Sequence, residues 1–220
     1  MIAGLAVAGA CRHRSLPEAD PAVMAALAKT MIDHTPMPAQ VRDCTASDLV
    51  GGATLTYPTA SKLGGLTLPD VPEMADWINP SELDSPAART LLTASATLTD
   101  RRRAAAELLS APFYLVYKVD QVAAPIALGV KELKQGLVNA RAVRYDHTGR
   151  LVCSLVFHYY QDDAKQAWAV DKSDALEIDP AVAQAMRDDL RYQMLRTVAS
   201  LGDPHRVVKT KGMPPKPPGP

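Results

Sequence analysis

The sequence predicts an α+β fold: an antiparallel meander sheet in the C-terminal half, covered on one face by helices, with an irregular helical N-terminal half. Three observations carry this. Apolar residues recur at helical spacing in the stretches before Leu109, the pattern turns to period-two alternation after Pro112, and a long helical stripe returns beyond Pro180. Helices set against one side of an antiparallel sheet let both elements bury their apolar halves. With 220 residues the chain has room for one such domain, since domains commonly run about 100 to 200 residues.

The first helix opens at Asp20-Pro21, where aspartate can accept from orphan amides and proline fits the first helical position. Val23, Met24, Leu27, Met31 and Ile32 follow at helical spacing, and Pro36 and Pro38 close the run. From Gln40 to Pro80 glycines and prolines break the chain every few residues. Thr45 or Ser47 stands where it can cap a turn carrying Leu49 and Val50, and Trp77-Ile78 is expected to plug the main core. The segment should drape over the sheet and helices, because a long structureless loop is rare inside a compact domain. Ser85-Pro86 repeats the cap-plus-proline signature. A second helix or a continuation runs through Leu109, and a continuous or kinked helix is the preferred reading, because a fresh start at Asp100 would set Arg101, Arg102 and Arg103 against the positive end of the helix dipole.

After Pro112 the chain reads as strands. Phe113, Leu115, Tyr117 and Val119 share one face, a second strand runs from about Leu137 to Tyr145, and Asp146-His147-Thr148-Gly149 supplies turn chemistry. In the return strand Leu151, Cys153, Leu155, Phe157 and Tyr159 point one way. Val152, Ser154, Val156, His158 and Tyr160 point the other. A turn over Gln161 to Lys165 and a short strand at Ala167 to Val170 complete the meander. Asp179-Pro180 then begins the last helix, whose stripe is Val182, Met186, Leu190, Met194, Val198 and Leu201, stopped by Gly202.

Lys plus Arg equals Asp plus Glu at 24 each, so the formal net charge is zero and no global field draws in nucleic acid. No apolar run approaches the ~20 residues of a spanning helix. The chain also lacks a phosphate-cradling glycine loop with lysine, paired CxxC, HExxH and GxSxG. Its histidines, His13, His34, His147, His158 and His205, lie in separate segments, so neither a metal nor a cofactor is expected and a non-enzyme is favoured. The most chemical cluster is His158-Tyr159-Tyr160-Gln161-Asp162-Asp163. His158 and Tyr160, together with Trp168, are the candidates for a shallow ligand pocket between sheet and helices, where a nearby carboxylate would raise the imidazole pKa. The plainer account of the same residues is a half-exposed strand end followed by a polar turn.

The first eleven residues form an uncharged run of small and apolar side chains ending at a cysteine. The chain therefore divides into a signal-like segment 1–10, a tether 11–20, a single α+β domain 21–204 and a proline-rich tail 205–220. The run Leu5-Ala-Val-Ala-Gly-Ala-Cys11 resembles the lipobox of bacterial lipoproteins. That resemblance implies removal of residues 1–10, diacylglycerol on the Cys11 sulfur, an acylated Cys11 amine, and anchoring to a membrane of the bacterial cell envelope, facing the periplasm or the surface. Without lipid, the same residues suit an N-terminal tail or a first buried strand.

Three cysteines is an odd number, which in an exported protein asks for an explanation. With Cys11 consumed by lipid, Cys44 and Cys153 remain as a candidate disulfide in an oxidising compartment. The other reading makes Cys153 a small buried hydrophobe and Cys44 a free loop thiol. On function, the expectation is a protein-binding or accessory component of an envelope assembly. The alternative is a small periplasmic enzyme or ligand carrier.

Overall fold

The computed structural model describes residues 18–33, 41–66, 77–123, 126–129, 132–134, 136–160 and 180–201. Helix α1 (Pro21–Asp33) starts where Asp20 Oδ1 accepts the Ala22 amide at 2.9 Å, and it buries Met24, Ala28, Met31 and Ile32. A 3-10 turn (Ala46–Leu49) follows, with the Thr45 amide donating to Asp48 Oδ2 at 2.8 Å. Strand β1 (Ala53–Thr56) runs directly into α2 (Tyr57–Leu63), and α3 (Pro80–Leu83) and α4 (Pro86–Leu92) come next. Ser85 sits at the cap position of α4, but its hydroxyl donates instead to the Thr54 carbonyl at 3.0 Å.

Of the two readings for the stretch through Leu109, the structure has the second helix and not the preferred continuation. Helix α5 (Leu98–Leu109) makes its own start, with Thr97 as cap and Asp100 reaching back to the Thr97 amide at 3.2 Å. Because the helix begins at Leu98, the dipole's positive end meets Asp100 before it meets the three arginines.

Strands β2 (Phe113–Ala123), β5 (Leu137–Asp146) and β6 (Leu151–Tyr160) form the antiparallel body predicted by the alternation, and β3 (Ile126–Gly129) with β4 (Glu132–Lys134) makes a separate two-stranded ladder. Two features correct the expected meander. The main sheet has the order β1-β2-β5-β6, with β1 parallel to β2, so the sheet is mixed and takes a strand from the N-terminal half. Parallel neighbours require a crossover, and here it is supplied by α2 through α5. The short strand expected at Ala167 to Val170 lies outside the described residues.

Helices also cover both faces rather than one. On the first face Tyr114, Val116, Val143 and Tyr145 pack with α1, α2, α4 and α5. On the second face Leu115, Val138, Ala140, Ala142 and Cys153 pack with Trp77, Ile78 and with Leu190 and Met194 of the last helix, α6 (Pro180–Leu201). The physical reason lies in Phe113–Tyr117, where every residue is buried, as in a strand covered on both sides. A further correction concerns Leu151. A register shift pairs Arg144 with Cys153 but Tyr145 with Leu151, and this bulge sends Leu151 to the first face while Cys153 keeps the second.

The β1 edge is sealed. The Ser85 amide donates to the Thr54 carbonyl at 2.9 Å, and buried Asp84 accepts from the Thr56 amide and the Thr59 hydroxyl, each at 2.5 Å. Burial pushes the Asp84 carboxyl up from its ordinary value, against the pull of the Thr59 and Thr56 hydrogen bonds. A carboxyl raised by folding takes up protons on folding. Its contribution to stability therefore falls as pH climbs from the ordinary carboxylate range through the raised value, and is flat above it. Asp84→Asn keeps an acceptor for Thr56 and offers the Thr59 oxygen a donor, without the charge. The stability of this variant relative to the native chain is expected to rise with pH across that window. A difference in urea unfolding that is constant with pH would remove the burial argument.

Candidate functional site

Residues 41–50 are fastened to the second face of the sheet by three kinds of bond. The Cys44–Cys153 disulfide joins positions 109 apart in sequence, with a Cα–Cα separation of 5.1 Å, and both cysteines are buried. This is the pairing expected once Cys11 is set aside, and it replaces the alternative of two free thiols. Beside it, the Cys44 amide donates to the Ser154 carbonyl at 2.9 Å, and the Ser154 amide donates to the Arg42 carbonyl at 3.1 Å. The segment thus runs parallel to β6 along its outer edge at Asp43 and Ser154.

The third fastening is ionic. The Asp48 carboxylate accepts from Arg42 at 3.0 and 3.1 Å and from Arg144 at 2.9 Å. The Arg144 guanidinium also lies over the Phe113 ring, 4.1 Å from its centroid. Hydrogen bonds from Arg42 and then from Thr45 hold the Asp48 carboxyl well below the usual carboxylate range.

At the far end of the sheet, side chains of β2, β5 and β6 build a polar ladder. Arg141 grips Asp120 with Nε at 2.7 Å and Nη2 at 2.6 Å, and Lys118 Nζ approaches the same carboxylate at 3.3 Å while lying 5.3 Å from the Tyr57 ring centroid. Next along the ladder, Asn139 Nδ2 donates to Gln121 Oε1 at 2.7 Å, and Asn139 Oδ1 faces His158 Nδ1 at 2.5 Å. With its nitrogen committed to Gln121, the Asn139 amide presents only an acceptor to the imidazole, so Nδ1 carries the proton. In the neutral ring that leaves Nε2 as an outward acceptor.

His158 and Tyr160 share a face, as the alternation predicted, with Val156 on the same side. All three are exposed, Val156 at 54% and Tyr160 at 48%. The hydrogen bond described for His158 goes to the Asn139 amide. Trp168, Asp162, Asp163 and the lipidation candidate Cys11 lie outside the described residues. Asn139, Gln121 and Asp120 carry no signal of their own in the sequence, because only the cross-strand register brings them together.

Among the described residues, no group of three or more His, Cys, Asp or Glu could hold a metal ion, and no helix is long and apolar enough to cross a membrane. The architecture defines the class only as an α+β domain with a stapled sheet. The chain matches no protein-family model, no curated protein and no solved structure. What the site can do chemically is therefore read from its own groups. An amide holds the imidazole in one orientation beside exposed apolar and aromatic side chains, an arrangement suited to recognition by hydrogen bonding and contact.

Proposed function

We propose that this chain is a lipid-anchored cell-envelope protein whose α+β domain binds a partner protein. The observation that carries the reading is the partition of its cysteines. Cys44 and Cys153 are joined inside the fold, as suits an oxidising compartment, and the one cysteine left over is Cys11, at the end of the run Leu5-Ala-Val-Ala-Gly-Ala-Cys11. A thiolate at that position is the group that a lipid transfer consumes. The partner-binding half of the reading draws on the exposed side chains of His158, Tyr160 and Val156, among which the imidazole is held by the Asn139–Gln121 ladder beside it.

The test is fractionation of a bacterial host that expresses the gene from its native upstream region, fed with a labelled fatty acid. The native chain is expected in the membrane pellet with label attached. Cys11→Ala is expected to lose the label and leave the pellet, because the acyl chains supply the anchoring. Retention of the variant in the pellet with its label would remove the anchor from Cys11.

A further inference from the structure

We propose that the exposed turn between α4 and α5, residues 92–98 with Arg102 and Arg103 beside it, lies on the bilayer that holds the anchor and sets its two leucines among acidic lipid headgroups. This deepens the lipid-anchor half of the reading above and rests on it. The tether joins the domain at this place. The Ala19 amide donates to the Arg102 carbonyl at 3.2 Å, and the Glu18 carboxylate lies 3.8 Å from the Arg102 guanidinium. Glu18 follows Cys11 by seven positions, a reach of about 25 Å at full extension. A compact chain of this length is roughly 40 Å across. Lipid on Cys11 therefore presents the Arg102 side of α5 to the headgroups ahead of the far side of the domain.

The groups next to that junction suit a headgroup layer. Leu98 lies one helical turn before Arg102, about 6 Å along the axis. It is 60% exposed, and Leu92, at the end of α4, is 39% exposed. Between them Thr93, Ala94, Ser95 and Thr97 are exposed as well, and residues 90–99 contain no charged side chain. One exposed leucine is ordinary on any protein surface. Two at the ends of one uncharged turn, with Arg89 before it and Arg101, Arg102 and Arg103 after it, make a segment that is apolar in front and basic behind, the composition that binds at an acidic membrane surface.

The turn also meets the bilayer already ordered. The Thr93 amide donates to the Thr90 carbonyl and the Ala96 amide to the Thr93 carbonyl, each at 3.2 Å, and Arg101 Nη2 donates to the carbonyls of Thr93 and Ala94 at 3.2 and 3.4 Å. These bonds satisfy backbone groups that would otherwise resist leaving water, and they fix the turn before it docks. The carboxylates nearest the turn are engaged. Asp100 accepts from the amide and hydroxyl of Thr97 at 3.2 and 2.6 Å, and Glu18 is beside Arg102. Glu107 stands nine residues past Leu98, about 13 Å further along the helix axis.

The experiment places the protein on bilayer discs of phosphatidylcholine with phosphatidylglycerol, and on discs of phosphatidylcholine alone, in two forms. One is the full chain purified with its lipid. In the other, residues 1–11 are replaced by a hexahistidine segment held on a nickel-chelating lipid, which tethers the same end without Cys11. Ser95→Cys puts a thiol on the turn and leaves both leucines in place. On acidic discs its reaction with a water-soluble maleimide is expected to slow about tenfold relative to the hexahistidine form free in solution, as suits burial of leucine-sized surface. A thiol at Tyr192→Cys, on the exposed face of α6, is expected to react at an unchanged rate. Leu92→Ser with Leu98→Ser abolishes the slowing. Arg102→Gln with Arg103→Gln reduces it severalfold, as does removal of phosphatidylglycerol. All four side chains are exposed, so the fold is kept.

Equal rates at the two thiols on acidic discs would overturn the proposal. So would slowing that survives loss of both leucines, or slowing that follows the number of proteins per disc and not the lipid, which is the signature of a second copy. Acyl mass on Cys11 is read separately. An acylated chain whose turn reacts freely sinks the docking alone, and an unacylated native chain whose hexahistidine form is still protected sinks the anchor alone.

Discussion

Replacing Cys44 and Cys153 together by alanine is expected to lower the unfolding free energy by about 2 to 5 kcal/mol. The bridge closes a loop of 109 residues in the unfolded chain, which puts it among the longer loops, where the entropic contribution is largest. For a domain of this size each kcal/mol moves Tm by roughly 2 to 4 °C, so a fall of the order of 10 °C should be seen by calorimetry. The loop should not detach altogether, because Asp48 still holds Arg144 and Ser154 still pairs with Arg42 and Cys44 through the backbone. A loss smaller than about 1 kcal/mol, at the low end of what such bridges contribute, would mean that those bonds hold the segment unaided.

The second large effect belongs to Leu190→Ala. Leu190 is fully buried in the cluster that joins α6 to the second face of the sheet. Removing its branch costs the transfer of those carbons and the cavity left behind, about 2 to 5 kcal/mol for such truncations. Tyr192, two residues on and 62% exposed, is the control. Tyr192→Ala is expected to change stability by no more than about 0.5 kcal/mol. Equal effects from the two substitutions would mean that α6 does not lie on the sheet by the face that carries Leu190.

Long periodic segments were legible from sequence because many side chains vote for the same period. The stripe that includes Met186, Leu190 and Met194 forecast α6, and the turn at Asp146 to Gly149 forecast the β5–β6 hairpin. Strand β1 was missed because Ala53-Thr54-Leu55-Thr56 is too short for alternation to register and its partner lies some sixty positions away. The covering of both sheet faces was present in the unbroken apolar run Phe113–Tyr117, but one face of that run was read as the whole. The break between α4 and α5 also had a local signal, Thr97 three residues before Asp100.

At the candidate site, the residue types on β6 were legible and their partners were not. Counting back from the hairpin turn through Tyr145 and Leu151 sets His158 opposite Val138. The bulge at Val152 shifts the count by one, so that His158 meets Asn139 instead. That single displaced residue decides whether the imidazole faces an apolar neighbour or an amide that fixes its proton.

The most direct measurement of the whole account is the intact mass of the membrane-fraction protein, expressed from its native upstream region, before and after treatment with reductant. The account predicts a chain that begins at Cys11, carries added acyl mass, and gains two protons when the Cys44–Cys153 bridge opens. A soluble, unmodified chain that retains Met1, with three free thiols and no change on reduction, would contradict it.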